Sequence, residues 1–443
     1  MSQPLQKPAR LKGFQDFLPD KMQVKQHMIA TILDESRKAG FRPIDTPALE
    51  YTESLLGVGG ETDKQVFRFL DNGGRDVALR FDLTVPFARF VTEHFGELTF
   101  PFKRVQVGPV WRAEKPQKGR YREFYQCDLD IIGGDPLLAD LEILLCFQNI
   151  LHRLNLGSFT MDVGHRGVLS ALLQALLGPE VKRQEPQILI LLDKLDKIGK
   201  AAVQESLAAL GYDSTRTHPL LALLAPEDQE ETDLDAVAEL LQGNEVALAQ
   251  LTQLQTLGRM IRPLLGAEHT GLFRIRLGIV RGLGYYTGVV FETTLAAHPE
   301  YGSICSGGRY DHLAERFSKQ PLPGVGASIG VDRLLAALME ETSTETESPY
   351  AGFFVAVATE DAYPYGFQLL QTLRQKGAVA ECSLKAGKIG AQFKWAHRMH
   401  FRYVLTVGTE EVTSKTLRLR DMQAGTEVEL SLTHFWETLP TLE

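Results

Sequence analysis

The chain has 443 residues, 44% hydrophobic and 23% charged, which is the composition of an ordinary globular protein long enough for two or three domains. Its formal net charge of −9 gives no sign of nucleic-acid binding, so any RNA-binding surface has to be local. No apolar run approaches the roughly 20 residues of a membrane span, the N-terminus lacks the apolar segment of a secretory signal, and Cys127, Cys146, Cys305 and Cys382 show no C-x-x-C spacing, so zinc and disulfide frameworks are excluded and a cytoplasmic protein with no membrane partner is expected.

Residues 20–39 read as an amphipathic helix with Met22, Met28, Ile29, Ile32 and Leu33 on one side and Gly40 as its stop. Strands are expected in FRPIDTPALEYTESL, then over 67–70 and 77–81 about the turn Asp71 to Gly74. In LRFDLTVPFARF, Asp82 and Thr84 lie two apart; in an extended segment they face the same way and suit a primary ammonium, although such pairs are common by chance. Strands over 105–111 and 124–132 then flank a polar loop holding Lys115, Lys118, Arg120 and Arg122, with Pro116 and Gly119 as turn residues. Arg112 closes the first strand, and its planar fork is suited to phosphate. A solvated basic hairpin is the competing reading, but Gln126 and Asp130 fall on a strand expected to be buried, where unpartnered polar groups are costly. Asp135 then caps a helix opened by Pro136 and running to about 154.

From about 173 to 264 the sequence turns Leu-, Ala- and Gln-rich at helical spacing, and PEDQEETDLDAVAELLQGNE carries eight acidic residues and no basic one, as a helical insertion with a solvated acidic face would. In LGIVRGLGYYTGVVFE, Arg281 lies among glycines that permit close ligand approach, just before Tyr285 and Tyr286; a Gly-rich turn with core tyrosines is the plainer alternative. GVGASIGVDRLLAAL places Arg333 at the head of an apolar helix, without the spacing of a phosphate-binding or dinucleotide loop. A polar linker at 341–350 precedes an alternating α/β unit with strands at 353–358, 377–383, 402–407, 415–420 and 426–432 and helices at 363–375 and 388–400. Lys385, Lys388, Lys394, Arg398, Arg402, Lys415, Arg418 and Arg420 make this unit locally basic, either as an RNA surface or as a solvated face.

The pattern Arg112-x-Glu114, loop, Arg120-x-x-x-Phe124 resembles motif 2 of the class II aminoacyl-tRNA synthetases, and GRYREFYQ (119–126) is close to the wording of histidyl-tRNA synthetases. Pro47 resembles the motif 1 proline, SICSGGRYDHL (303–313) is another match in wording, and residues 324–338 have the form of motif 3. Arg281 to Tyr286 resembles the histidine signature Arg-Gly-Leu-Asp-Tyr-Tyr, with Gly284 where an aspartate is usual, and 391–422 resembles the family's anticodon-binding domain. The resemblance spans about 15–440.

It implies an α+β fold: a mostly antiparallel class II synthetase-type sheet with flanking helices (1–172 and 265–340), a helical insertion (173–264), and a C-terminal α/β anticodon-binding-like domain (351–443). It further implies ATP-dependent ligation of L-histidine to tRNA(His) through a histidyl-adenylate, Mg²⁺ on the phosphates and a homodimer. Arg112 and Arg281 would flank the α-phosphate, with Glu114, Arg120, Phe124 and Arg333 on the rest of ATP. Asp82 and Thr84 would hold histidine's α-amino group, Asp130 and Tyr286 its imidazole, with Gln126, Arg281 and Tyr285 completing the site. No protein metal ligands are implied. The alternatives are a non-catalytic regulator like the ATP phosphoribosyltransferase regulatory subunit, which retention of all four arginines and the C-terminal domain disfavours, or a duplicated, specialised synthetase, for which Gly284 is the only hint.

Overall fold

The computed structural model describes residues 7–56, 65–116, 119–226, 231–265, 271–280, 286–341, 352–384 and 388–439. The chain divides into two compact units, Met1–Glu340 and Glu341–Glu443. Among the described residues the first is built on an eight-stranded sheet in the order Arg42–Pro43, Phe102–Trp111, Glu123–Ile132, Gly324–Gly330, Ser303–Tyr310, Val289–Leu295, Phe159–His165, Gly271–Ile275. The outermost pair at each edge is parallel and the five pairs between them are antiparallel.

Side chains alternate faces along a strand, and the central hairpin uses both faces fully. Val105, Cys127, Leu129 and Ile131 enter the apolar core beneath helices Pro19–Lys38 and Pro136–Arg153. Arg104, Gln106, Gln126, Asp128 and Asp130, on the other parity, make the opposite face polar although it too is buried. Helix Pro136–Arg153 starts as its sequence predicts, with the Asp135 carboxylate accepting from the Leu138 amide at 3.1 Å. Helix Pro19–Lys38 buries Met28 and Ile32 as anticipated, and also Lys25. Lys25 Nζ lies 2.7 Å from Asp332 Oδ1 and over the rings of Tyr125 and Phe17, at 3.7 and 4.1 Å. The other oxygen of Asp332 accepts from the Tyr125 amide at 2.7 Å. One ion pair thus ties the N-terminal helix, the central strand and helix Val331–Glu341 together.

A separate three-stranded sheet, Leu49–Tyr51, Asp76–Leu79 and Arg68–Leu70, leaves Leu49, Tyr51, Phe69 and Leu70 exposed. Between strands Phe159–His165 and Gly271–Ile275 the described residues form the helices Arg166–Leu177, Glu185–Leu192, Leu195–Ala209, Ser214–Leu224, Leu234–Leu240 and Glu245–Ile261. The acidic stretch there is not wholly a solvated face. Glu231 accepts the Ile275 amide at 2.8 Å and pairs with Arg262, and buried Thr232 accepts the Leu277 amide at 3.0 Å.

The second unit has a mixed sheet ordered Ala380–Cys382, Phe353–Val357, Tyr403–Val407, Thr416–Asp421, Glu427–Ser431, with helices Tyr363–Gln375 and Ile389–Arg398. Two short helices, Thr409–Ser414 and Leu432–Thr438, were not anticipated; the first is only six residues of polar sequence, opened by Glu411 accepting the Gly408 amide and closed by Lys415 at φ 54°. The unit's basic residues are partly answered locally, Arg418 by Glu411 at 3.2 Å, Arg420 by Glu427 at 3.7 Å and Arg402 by Asp421 at 3.9 Å. Lys388, Lys394 and Arg398 remain exposed, and Lys385 lies outside the described residues.

Removing one partner of a buried ion pair strands the other charge in a low-dielectric interior. Lys25→Met is therefore expected to destabilise the first unit by about 3–5 kcal/mol in urea unfolding. A loss below about 1 kcal/mol, the scale of a surface pair, would show that the pair is not what joins these elements.

Candidate active site

The site is set by the central strand Glu123–Ile132 and its two neighbours. Arg104 stands opposite Asp130 and Gln106 opposite Asp128 on one side, while Gly326 and Ser328 stand opposite Asp130 and Asp128 on the other. Two glycines make room. A Cβ on Gly326 would overlap the Asp130 carboxylate, and one on Gly308 would lie 3.0 Å from the Tyr286 ring. The result is a cavity of ≈ 100 Å³ whose walls carry Asp82, Thr84, Arg112, Gln126, Asp130 and Tyr286, together with Ser306, Tyr310 and Ser328.

Asp82 and Thr84 reach this cavity by a different backbone from the expected extended one. Helix Thr84–Glu93 begins at Thr84, and Asp82 Oδ1 accepts the Val85 amide at 3.1 Å. The reason is local: an aspartate ahead of a helix satisfies one of its free amides, and Pro86 needs no acceptor in the first turn.

Three carboxylates are buried together here: Asp82, Asp128 and Asp130, at 6, 2 and 2% exposure. Burial pushes Asp82 and Asp130 up to about 6 and raises Asp128 as well; for Asp130 and Asp128 the fully buried Arg104 guanidinium opposes the rise. Arg104 Nη2 lies 2.7 Å from Asp130 and 3.7 Å from Asp128, donates to the Leu83 carbonyl, and the group packs 4.4 Å from the Phe87 ring centroid. Tyr310 donates to the other Asp130 oxygen at 2.5 Å. Asp82 makes no ion pair among the described residues. A cavity this small with ionisable carboxylates on its wall is suited to a compact organic cation with several N–H donors.

The neighbouring end is cationic. Arg112 donates to the Phe81 carbonyl at 3.0 Å and its guanidinium lies 5.2 Å from the Phe124 ring centroid. Arg120, nearly half exposed, is 3.9 Å from Glu114, and Arg333 donates to the Ser303 carbonyl. Of the residues expected from sequence, Asp82, Thr84, Arg112, Gln126, Asp130 and Tyr286 share the cavity, and Phe124 lies against Arg112. Glu114, Arg120 and Arg333 are not part of its wall. Arg281, Gly284 and Tyr285 lie outside the described residues. Sequence reasoning missed Arg104, Asp128, Tyr310 and Ser328. Two carried a signal: Arg104 is a charge inside an apolar strand, and Asp128 shares its strand parity with Gln126 and Asp130.

A family model for histidyl-tRNA synthetase matches residues 13–334, and one for an anticodon binding domain matches 353–442. The chain is 40% identical over 427 residues to the histidine–tRNA ligase of Rhodopirellula baltica, covering 94% of this chain and 95% of that protein. It is also 40% identical over 426 residues to the corresponding ligase of Helicobacter pylori, covering 95% of each. Among solved structures, a histidyl-tRNA synthetase from Nostoc superposes with a TM-score of 0.86 at 31% identity, covering 99% of this chain and all of that one. A Bacillus halodurans ATP phosphoribosyltransferase regulatory subunit/histidyl-tRNA synthetase, at 24% identity and TM-score 0.74, shares the fold over 91% of this chain and 99% of that one.

The raised Asp82 carboxyl has a thermal consequence. Its ordinary value is 3.8 and its folded value about 6, so folding favours the protonated form. That contribution is present at low pH and is lost as pH rises through about 6, above which ionised Asp82 costs stability. Asp82→Asn keeps an acceptor for the Val85 amide, so it is expected to raise the melting temperature at about pH 7.5 and to lose that gain near pH 4. Thermal unfolding across this range checks it; equal melting temperatures at the higher pH would mean that the carboxylate is not penalised by burial.

Proposed function

The chain belongs to the histidyl-tRNA synthetase family, and on that premise we propose that the buried carboxylate cavity is its histidine site and the arginine-bearing hairpin beside it its ATP site. The protein is an enzyme of the ligase class that joins histidine to tRNA with ATP as a substrate. The observation that carries the site assignment is the meeting of Asp82, Thr84, Gln126, Asp130 and Tyr286 around ≈ 100 Å³, next to Arg112.

In this reading the histidine α-ammonium lies against Asp82, Thr84 and Gln126, and Asp130 accepts a ring N–H while Tyr286 meets the other side of the imidazole. Tyr310 and Arg104 fix the Asp130 carboxylate, which makes selection of a hydrogen-bonding ring rigid. The histidine carboxylate then faces the cationic end. Its oxygen attacks the ATP α-phosphorus, forming the P–O bond of the adenylate as the bond to pyrophosphate breaks. Charge grows on the α-phosphate oxygens, so fixed cations help more than a proton-transfer group. Arg112 and Arg281 take that role; Arg120 and Arg333 hold the γ end, Glu114 lies on the same loop, and Phe124 stacks on adenine. A bound Mg²⁺ would neutralise charge on the phosphates. The donor set allows it, since Mg²⁺ needs only one or two carboxylates besides phosphate and water, and Glu114 is a part-buried carboxylate beside Arg120.

Transfer to tRNA(His) follows, with residues 351–443 as the anticodon-binding part, supported by exposed Lys388, Lys394 and Arg398, and with residues 173–264 inserted into a core of 1–172 and 265–340. A purely regulatory role is less supported, because both ligase relatives match at 40% identity over most of the chain. A homodimer belongs to the same proposal, supported by exposed Leu49, Tyr51, Phe69 and Leu70 on the small sheet that follows Pro47. Cytoplasmic location does too, supported by four free cysteines; no described helix is long and apolar enough to cross a membrane.

Wild-type protein is expected to catalyse histidine-dependent ATP–pyrophosphate exchange. Arg281→Ala should bind histidine within a few-fold of wild type yet lose on the order of 10²–10³ in single-turnover adenylate formation, the scale of one preorganised donor. An unchanged rate would remove Arg281 from the mechanism. Light scattering at micromolar concentration should give twice the chain mass of 49.3 kDa; monomer alone would count against the dimer.

A further inference from the structure

Asp128 has no place in the substrate contacts assigned above, yet it is buried between two residues that do. It shares a strand face with Gln126 and Asp130. Thr84 Oγ1 lies 3.4 Å from Asp128 Oδ2 and directs its hydroxyl at that carboxylate. Ser328 stands directly across from Asp128 in the antiparallel register, and Asp128 Oδ1 has no hydrogen-bond partner. Ser328 Oγ in turn accepts from Gln126 Nε2 at 2.6 Å.

The direction of each bond in this chain is fixed by its end. An ionised carboxylate only accepts, and a hydroxyl owns a single proton. Thr84 therefore spends its proton on Asp128. Ser328 Oγ, for its part, takes the Nε2 end of the Gln126 amide. The other end of that amide, Oε1, is buried without a hydrogen-bond partner, in a side chain only 8% exposed that lines the cavity. Thr84 Oγ1, its proton taken, likewise offers the cavity lone pairs. With the Asp82 carboxylate, this wall consists of acceptors alone.

We infer that Asp128 is a positioning residue that draws the Thr84 proton away from the cavity, so that Thr84 joins Asp82 and Gln126 in accepting a ligand ammonium and rejecting groups that bring acceptors to the same place. The inference rests on reading the cavity as the histidine site. Asp128 itself touches no substrate: it acts through Thr84. An Asn in its place has N–H groups to give, and can turn the threonine proton the other way round.

The test is histidine-dependent ATP–pyrophosphate exchange by wild type, Asp128→Asn, Thr84→Val and the double variant. Asp128→Asn should raise the KM for histidine about tenfold or more, the scale of a lost charge-assisted hydrogen bond, while the KM for ATP stays within about twofold. It should also narrow the preference for histidinol, which keeps the amine, over imidazolepropionate, which lacks it, when the two compete with histidine. Because both single changes act on one contact, Asp128→Asn with Thr84→Val should be scarcely worse than either alone. A histidine KM within about twofold of wild type in Asp128→Asn, or effects that multiply in the double variant, would overturn the inference. Thr84→Val leaves every charge in place and decides the matter should Asp128→Asn not fold: a raised histidine KM supports the contact through Thr84 and an unchanged one overturns it. Absence of histidine-dependent exchange in the wild-type protein would overturn the reading of the cavity, and this inference with it.

Discussion

The interaction on which the first unit depends is the ion pair between Arg104 and Asp130 at the centre of its large sheet. Both groups are almost wholly removed from water, and a charge in such a place is tolerated only if it is paired and hydrogen-bonded. The surroundings are built to meet that requirement. Leu83 gives a carbonyl to the guanidinium, Tyr310 a hydroxyl to the carboxylate, Phe87 a ring face to the cation, and Gly326 the absence of a side chain where the carboxylate must lie. The pair and these residues come from five separate stretches of chain, so the pair can form only once the sheet has been assembled around it. A hydrophobic pair of similar size would serve stability at least as well. What the ionic version adds is an acceptor oriented into the cavity by partners that cannot easily move.

The same logic explains why the site is poised. Burial raises the Asp82 and Asp130 carboxyls to about 6, and the nearby guanidinium groups oppose that rise. A ligand that brings its own cation removes the conflict, whereas one without it has to displace water from carboxylates that gain nothing in return.

Much of this was legible in the sequence, and the gaps have physical causes. The hairpin about Arg112, the capped helix after Asp135 and the alternation beyond residue 350 are local patterns, and each is where periodicity and capping place it. Asp82 and Thr84 were found as a pair through spacing, but on the wrong backbone, because Asp82 satisfies a helix amide instead of continuing a strand. Tyr310 is 180 residues from Asp130 and carries no local mark of the contact. Nothing in the sequence singles out Lys25 or Asp332 as a pair; only their meeting beside Phe17 and Tyr125 makes them interior. Long-range pairing of polar groups has no sequence period, which is why the apolar face of the sheet was easier to foresee than the polar one.

That polar face follows from one property of β-structure. Because neighbouring side chains alternate, a strand buried on both sides can hold an apolar core on one parity and a chemical site on the other without any change of backbone. Residues 126, 128 and 130 present an amide and two carboxylates to the cavity side, while 127, 129 and 131 anchor the strand in the core. Sliding the strand by one residue would bury three apolar groups in the cavity and thrust two carboxylates beneath the helices. The register is therefore enforced from both faces at once. A site placed here keeps its geometry because the core would have to come apart before the carboxylates could move.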